Sequence, residues 1–111
     1  MSVKTTVGDF VAFLESLPES LYYEEEWITL AETGEEVEEL SSLPPFTPIK
    51  VAGGVMREHD DMTREKDLDL EREFRKWKKN QDIAIVGVKI KKEFLSELKI
   101  FARDRGGRII E

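Results

Sequence analysis

The sequence predicts a single α+β domain spanning residues 1–111: about three helices packed on a mostly antiparallel sheet of four or five strands, in the order α-β-β-β-α-β-α-β. Three observations carry that prediction. Apolar residues recur at helical spacing in three separate segments. β-branched and aromatic residues gather between them in runs punctuated by Gly and Pro. The chain is too short for two independent cores, yet 40% of its residues are hydrophobic, enough for one.

The first helix opens at Thr6-Val7-Gly8-Asp9. Thr6 caps it, and Asp9 meets the exposed amides of its first turn. Val7, Phe10, Val11, Leu14 and Leu17 then share one face, and Pro18 stops the helix. Leu21–Ala31, rich in Tyr, Trp, Ile and Thr, reads as a strand that turns at Thr33-Gly34 into a second strand, Glu35–Leu40. Glu35–Leu40 also tolerates a helix, so 21–40 is a hairpin by preference. Ser41–Pro45 is a loop. Ile49–Met56 reads as a strand with a bulge or bend at Gly53-Gly54. His59-Asp60-Asp61 is turn-like, and Asp61 or Thr63 caps a second helix running to about Asn80 with Leu70, Phe74 and Trp77 inward. Ile83–Val88 is nearly all apolar, the pattern of a central strand covered on both faces. A last helix, about Lys91–Asp104, puts Phe94, Leu95, Leu98, Phe101 and Ala102 on one face. Gly106-Gly107 ends it, and Arg108–Ile110 makes a short final strand.

The charge is divided more sharply than the net value of -7 suggests. From Thr5 to Ile49 there is no Lys or Arg among eleven acids, whereas Arg72 to Arg108 holds twelve Lys/Arg against five Asp/Glu. An acidic half, 5–49, is thus joined to a basic half, 72–108. Such asymmetry favours an anionic partner or assembly through opposite ends. The charged fraction of 37%, a single Asn80 and Gln81 and no Cys match the composition of thermophile proteins. Without Cys there is no disulfide framework, thiolate nucleophile or thiolate metal site. No apolar run approaches the roughly 20 residues of a bilayer span, and no hydrophobic segment follows a basic start, so the expectation is a cytoplasmic protein without a membrane partner.

The leading functional expectation is a non-enzymatic protein binding single-stranded nucleic acid, RNA or DNA, through its basic half. Arg72, Arg75, Lys76, Lys78 and Lys79 crowd the second helix. Lys89, Lys91 and Lys92 lie at the next junction, followed by Arg103, Arg105 and Arg108. Such cations bind phosphates, and affinity accumulates over several contacts. The competing reading is that they complement helix C-termini and keep the surface soluble. In size and cation–aromatic mixture the chain is similar in type to small archaeal single-strand-binding proteins, with no specific residue match. The alternative function is an interaction or regulatory module whose acidic half docks a basic partner or another copy of the chain. Tyr22, Tyr23, Trp27 and Phe46 are the aromatic residues not absorbed by the helices and are expected at a homo-oligomer interface.

Catalytic chemistry is poorly supported. One histidine, His59, makes no triad, the serines lack a GxSxG context, and no phosphate-binding Gly-rich loop is present. The remaining enzymatic possibility is a carboxylate-based metal-dependent hydrolase, for which Glu58–Asp61 reads better as a solvated turn. No catalytic residue, metal ligand, cofactor or small-molecule substrate is indicated.

Overall fold

β3 (Pro48–Glu58) is central in a four-stranded antiparallel sheet because both of its edges are paired. The fold is given by a computed structural model that describes residues 2–59 and 67–110. β2 (Leu21–Leu30) runs along one edge of β3, from Leu21 opposite Glu58 to Leu30 opposite Ile49. The other edge is shared. β1 (Ser2–Thr6) pairs with it from Ala52 to Pro48, and the short β4 (Leu68–Asp69) lies beside Val55 and Met56. With the three helices α1 (Val7–Ser16), α2 (Leu70–Lys79) and α3 (Leu95–Asp104), this is the expected α+β class in one small domain.

The caps follow from local chemistry. Thr6 accepts the Asp9 amide at 3.4 Å, and Asp69 accepts the Arg72 amide at 3.4 Å, each relieving an orphan donor at a helix start. Helix α1 buries Val7, Phe10 and Phe13, and α2 buries Leu70 and Phe74, against Val3, Ile28, Ile49, Val51 and Met56 of the sheet. The Phe10 and Phe74 rings meet edge-on at 5.2 Å and 79°, the electrostatically favoured arrangement. Each such side chain contributes about 1.5–3 kcal/mol by leaving water. The expected bend at Gly53-Gly54 is present: both have positive φ, and Glu25 across from it has φ +65°. A Cβ on Gly54 would lie 2.6 Å from Leu70 Cδ2, so the glycine lets α2 close onto the sheet. Glu71 completes the junction by accepting the Gly53 amide at 2.6 Å.

Four expectations need correction. Ile83–Val88 is not a central strand: it pairs with no strand among the described residues and is largely exposed. Glu35–Leu40 does not complete a hairpin. A single bridge joins Thr29 to Glu36, and Leu40–Ser42 winds into a 3-10 turn. Residues 108–110 are not a strand, and the opening Ser2–Thr6 is one. Leu68 belongs to β4 rather than to the second helix, whose cap is Asp69. Asp60, Asp61 and Thr63 lie outside the described residues. The physical reason for the first correction is that β2 takes one edge of β3 and β1 and β4 take the other, so Ile83–Val88 finds no open place beside the central strand.

Candidate functional site: the C-terminal arm and the open sheet edge

After α2 ends at Asn80 the chain leaves the body as an arm. It crosses the end of the sheet where Thr6, Pro48 and Leu30 lie. Ile85 is pinned there by both backbone groups: its carbonyl accepts the Thr6 hydroxyl at 2.8 Å, and its amide donates to Asp9 Oδ1 at 3.1 Å. Two glycines allow the close passage. A Cβ on Gly8 would lie 2.5 Å from Ile85 Cδ1, and one on Gly87 would lie 2.7 Å from the Phe46 carbonyl oxygen. Lys89 then pairs with Glu32 at 3.0 Å, with both side chains well exposed. Beyond Ile90 a 3-10 turn (Lys92–Phe94) leads into α3. That helix stops in a Schellman motif: the Gly106 amide reaches the Arg103 carbonyl, and the Gly107 amide reaches that of Ala102 at 2.8 Å. Gly106-Gly107 is thereby a helix cap.

The arm is uncovered. None of residues 81–110 is buried, and eight large apolar side chains among them are exposed, including Ile83 at 75%, Val86 at 66% and Phe101 at 55%. Among the described helices α3 alone has no buried residue: on its apolar face Leu95, Leu98 and Ala102 are half-buried and Phe101 is exposed. Among the described residues no backbone–backbone hydrogen bond involves residues 82–90. The projection also stretches the molecule. Its radius of gyration is 16.2 Å with extents of 57 × 29 × 23 Å, against about 13 Å for a compact domain of this length.

The two outer edges of the sheet differ. On β1 the Ser2 carbonyl accepts Arg75 and the Lys4 carbonyl accepts Lys78, so α2 covers that edge. On β2 only the far end is covered, where Val37 donates to the Ile28 carbonyl and Leu30 donates to that of Glu35. From Tyr22 to Trp27 the outer edge has no strand beside it among the described residues. Of the four aromatic residues expected at an oligomer interface, Tyr23 and Trp27 are exposed on β2, Trp27 at 60%. Tyr22 is half-buried with its ring 4.8 Å from that of His59. Phe46 is half-buried in the loop beneath the arm. Partial burial raises the Tyr23 pKa above its ordinary value, and the neighbouring Glu26 carboxylate adds to the rise.

The acidic triplet on β2 is partly engaged. Buried Arg57 pairs with Glu24, with Asp67 at 2.9 Å and with Glu25 at 3.8 Å, so three carboxylates face one guanidinium and the site keeps negative charge. Sequence reasoning missed this hub, and also the use of Thr6 and Asp9 to hold the arm. A lone Arg inside a strand pattern, across from unbalanced acids, was the available signal for the first. The predicted nucleic-acid residues divide between two elements. On α2, Arg75 and Lys78 bond β1 carbonyls, Arg75 also pairs with Glu71, and Lys76 pairs with Glu73, while Arg72 and Lys79 point to solvent. On the arm, Lys91, Lys92, Arg103 and Arg108 are exposed, and Arg105 lies over the Phe101 ring at 3.9 Å. Among the described residues no group of three or more His, Asp or Glu is placed to hold a metal ion, and no helix is long and apolar enough to cross a membrane. No protein-family model matches the chain, and neither a curated protein nor a solved structure matches it.

Proposed function

We propose that this chain is a non-enzymatic protein–protein interaction module whose C-terminal arm docks on a protein surface. One observation carries the reading: eight apolar side chains of residues 83–110 are exposed on one stretch of chain in which no residue is fully buried. A stretch of that kind is costly to leave in water and marks an interaction surface. The arm is positioned at Ile85 and basic beyond it, so an acidic protein surface suits it best. Hydrogen exchange on the dilute chain tests the premise. Amides 86–90 should exchange at nearly unprotected rates while those of β3 exchange only on global opening. Protection of 86–90 in a monomer would mean that the arm folds on its own body and would end the reading.

One observation favours single-stranded nucleic acid as a second reading. Phe94 and Phe101 are exposed among Lys91, Lys92, Arg103 and Arg105, a mixture that suits base stacking with phosphate contacts. On that reading an oligonucleotide titration shows a log–log salt slope of roughly -3 to -4, for about four to six neutralised phosphates. A flat response rejects it.

A further inference from the structure

We propose that the surface the arm takes is the open β2 edge of a second copy of this chain. Residues 86–90 of each copy add as a strand beside Tyr22–Trp27 of the other, with the basic start of α3 alongside the acids of that edge. This deepens the docking reading above and rests on it.

Strand addition needs an edge with free backbone groups and an added segment with free groups of its own. The described residues offer both. Ile28 and Leu30 turn their backbone groups outward to residues 35–37. By strand alternation those of Glu26 and, past the Glu25 kink, Glu24 and Tyr22 face the same way. The β1 edge offers no such site, since Arg75 and Lys78 occupy its carbonyls. Residues 86–90, Val-Gly-Val-Lys-Ile, combine high strand propensity with an unpaired backbone.

Charge selects the pairing. No Lys or Arg lies between Thr5 and Ile49, so the covered end and the open stretch of the edge are flanked by Glu26 and Glu36, whereas Lys89, Lys91 and Lys92 lead the arm. The Lys89–Glu32 pair shows the same chemistry forming within one chain. Geometry favours a twofold. The arm leaves its own body at the β2 side, at Glu32, so an axis that brings two β2 edges together lays each arm on its neighbour. Exposed Tyr23 and Trp27 on the edge, and Val86 and Val88 on the arm, supply the apolar surface that charge alone lacks.

Sedimentation or light scattering of the full chain, joined to hydrogen exchange at low and high concentration, decides it. The expected result is a dimer in which amides 86–90 and 22–26 gain protection together. Val88→Pro removes one donor from a segment that makes no backbone hydrogen bond in the free chain, so it leaves the fold intact and raises the dimer dissociation constant at least about tenfold. Glu26→Lys/Glu36→Lys and Lys91→Glu/Lys92→Glu should each weaken self-association, and an equal mixture of the two should restore a heterodimer. A chain that stays monomeric with fast arm exchange overturns the second copy but leaves the docking reading standing. A monomer with a protected arm overturns both. A dimer indifferent to Val88→Pro overturns strand addition, and arm protection in a monomer by a single-stranded oligonucleotide assigns the arm to nucleic acid instead.

Discussion

The arm is richer in apolar residues than the body, yet the two have opposite fates. Leu70 and Phe74 in α2 are fully buried, and Phe10 and Phe13 face them across the domain. Leu95, Leu98 and Phe101 repeat the same helical spacing in α3 and bury nothing completely. The difference is not propensity, since both helices form and both end in satisfied caps. It is whether another layer of the same chain lies opposite. An amphipathic pattern thus specifies that a face must be covered and is silent on which molecule covers it.

The sharpest way to break this comparison is to remove one aromatic ring from each region. Phe74→Ala empties a fully buried site and should cost about 3–5 kcal/mol of unfolding free energy. Phe101→Ala should stay within about 0.5 kcal/mol of the parent in dilute solution, where the side chain is 55% exposed and its ring lies under Arg105. Urea unfolding followed by circular dichroism reads both. Equal losses would show that α3 is part of the cooperative core.

Ion pairs sharpen it at a smaller scale. Glu71 is nearly buried, accepts the Gly53 amide and pairs with Arg75 at 3.3 Å, so Glu71→Ala strands a donor at the sheet bend. The expected cost is about 1–3 kcal/mol. Lys89→Ala breaks an exposed pair on the arm and should cost less than about 1 kcal/mol. The same unfolding curves separate them, and a larger loss at Lys89 would mean that the arm braces the sheet.

Much of the body was legible in the sequence because its signals are local. Thr6 and Pro18 bracket α1, Phe74 and Trp77 mark the inner face of α2, and Gly53-Gly54 marks the bend. The failures concern what lies beside a strand. Ile83–Val88 has the composition of a covered strand, yet nothing in a single chain's sequence states whether its cover is its own sheet or another molecule. Ser2–Thr6 was missed because five residues with a single apolar side chain, Val3, beside a helix cap carry little signal until Ala52–Pro48 pairs with them. The site divided in the same way. The exposure of Tyr23 and Trp27 follows from alternation on β2, while the anchoring of Ile85 by Thr6 and Asp9 joins residues more than seventy positions apart.

The smallest expected effect lies at the proposed meeting point of the two regions. Tyr23 sits on β2 with its pKa raised above 10.0, first by partial burial and then by Glu26. A raised phenol pKa means that the folded state favours the neutral form. Its contribution to stability is therefore whole below pH 10, where the unfolded chain is also neutral, and is lost as pH climbs through the folded value. Phenolate absorbance should show Tyr23 titrating late, and Tyr23→Phe should remove that late step. If a second chain's arm covers β2, burial deepens, and the late step should move further upward as protein concentration rises through the dimer range. Tyr23→Phe should leave no concentration dependence behind. A late step that stays fixed at every concentration would place Tyr23 outside any interface and confine the arm's partner to another surface.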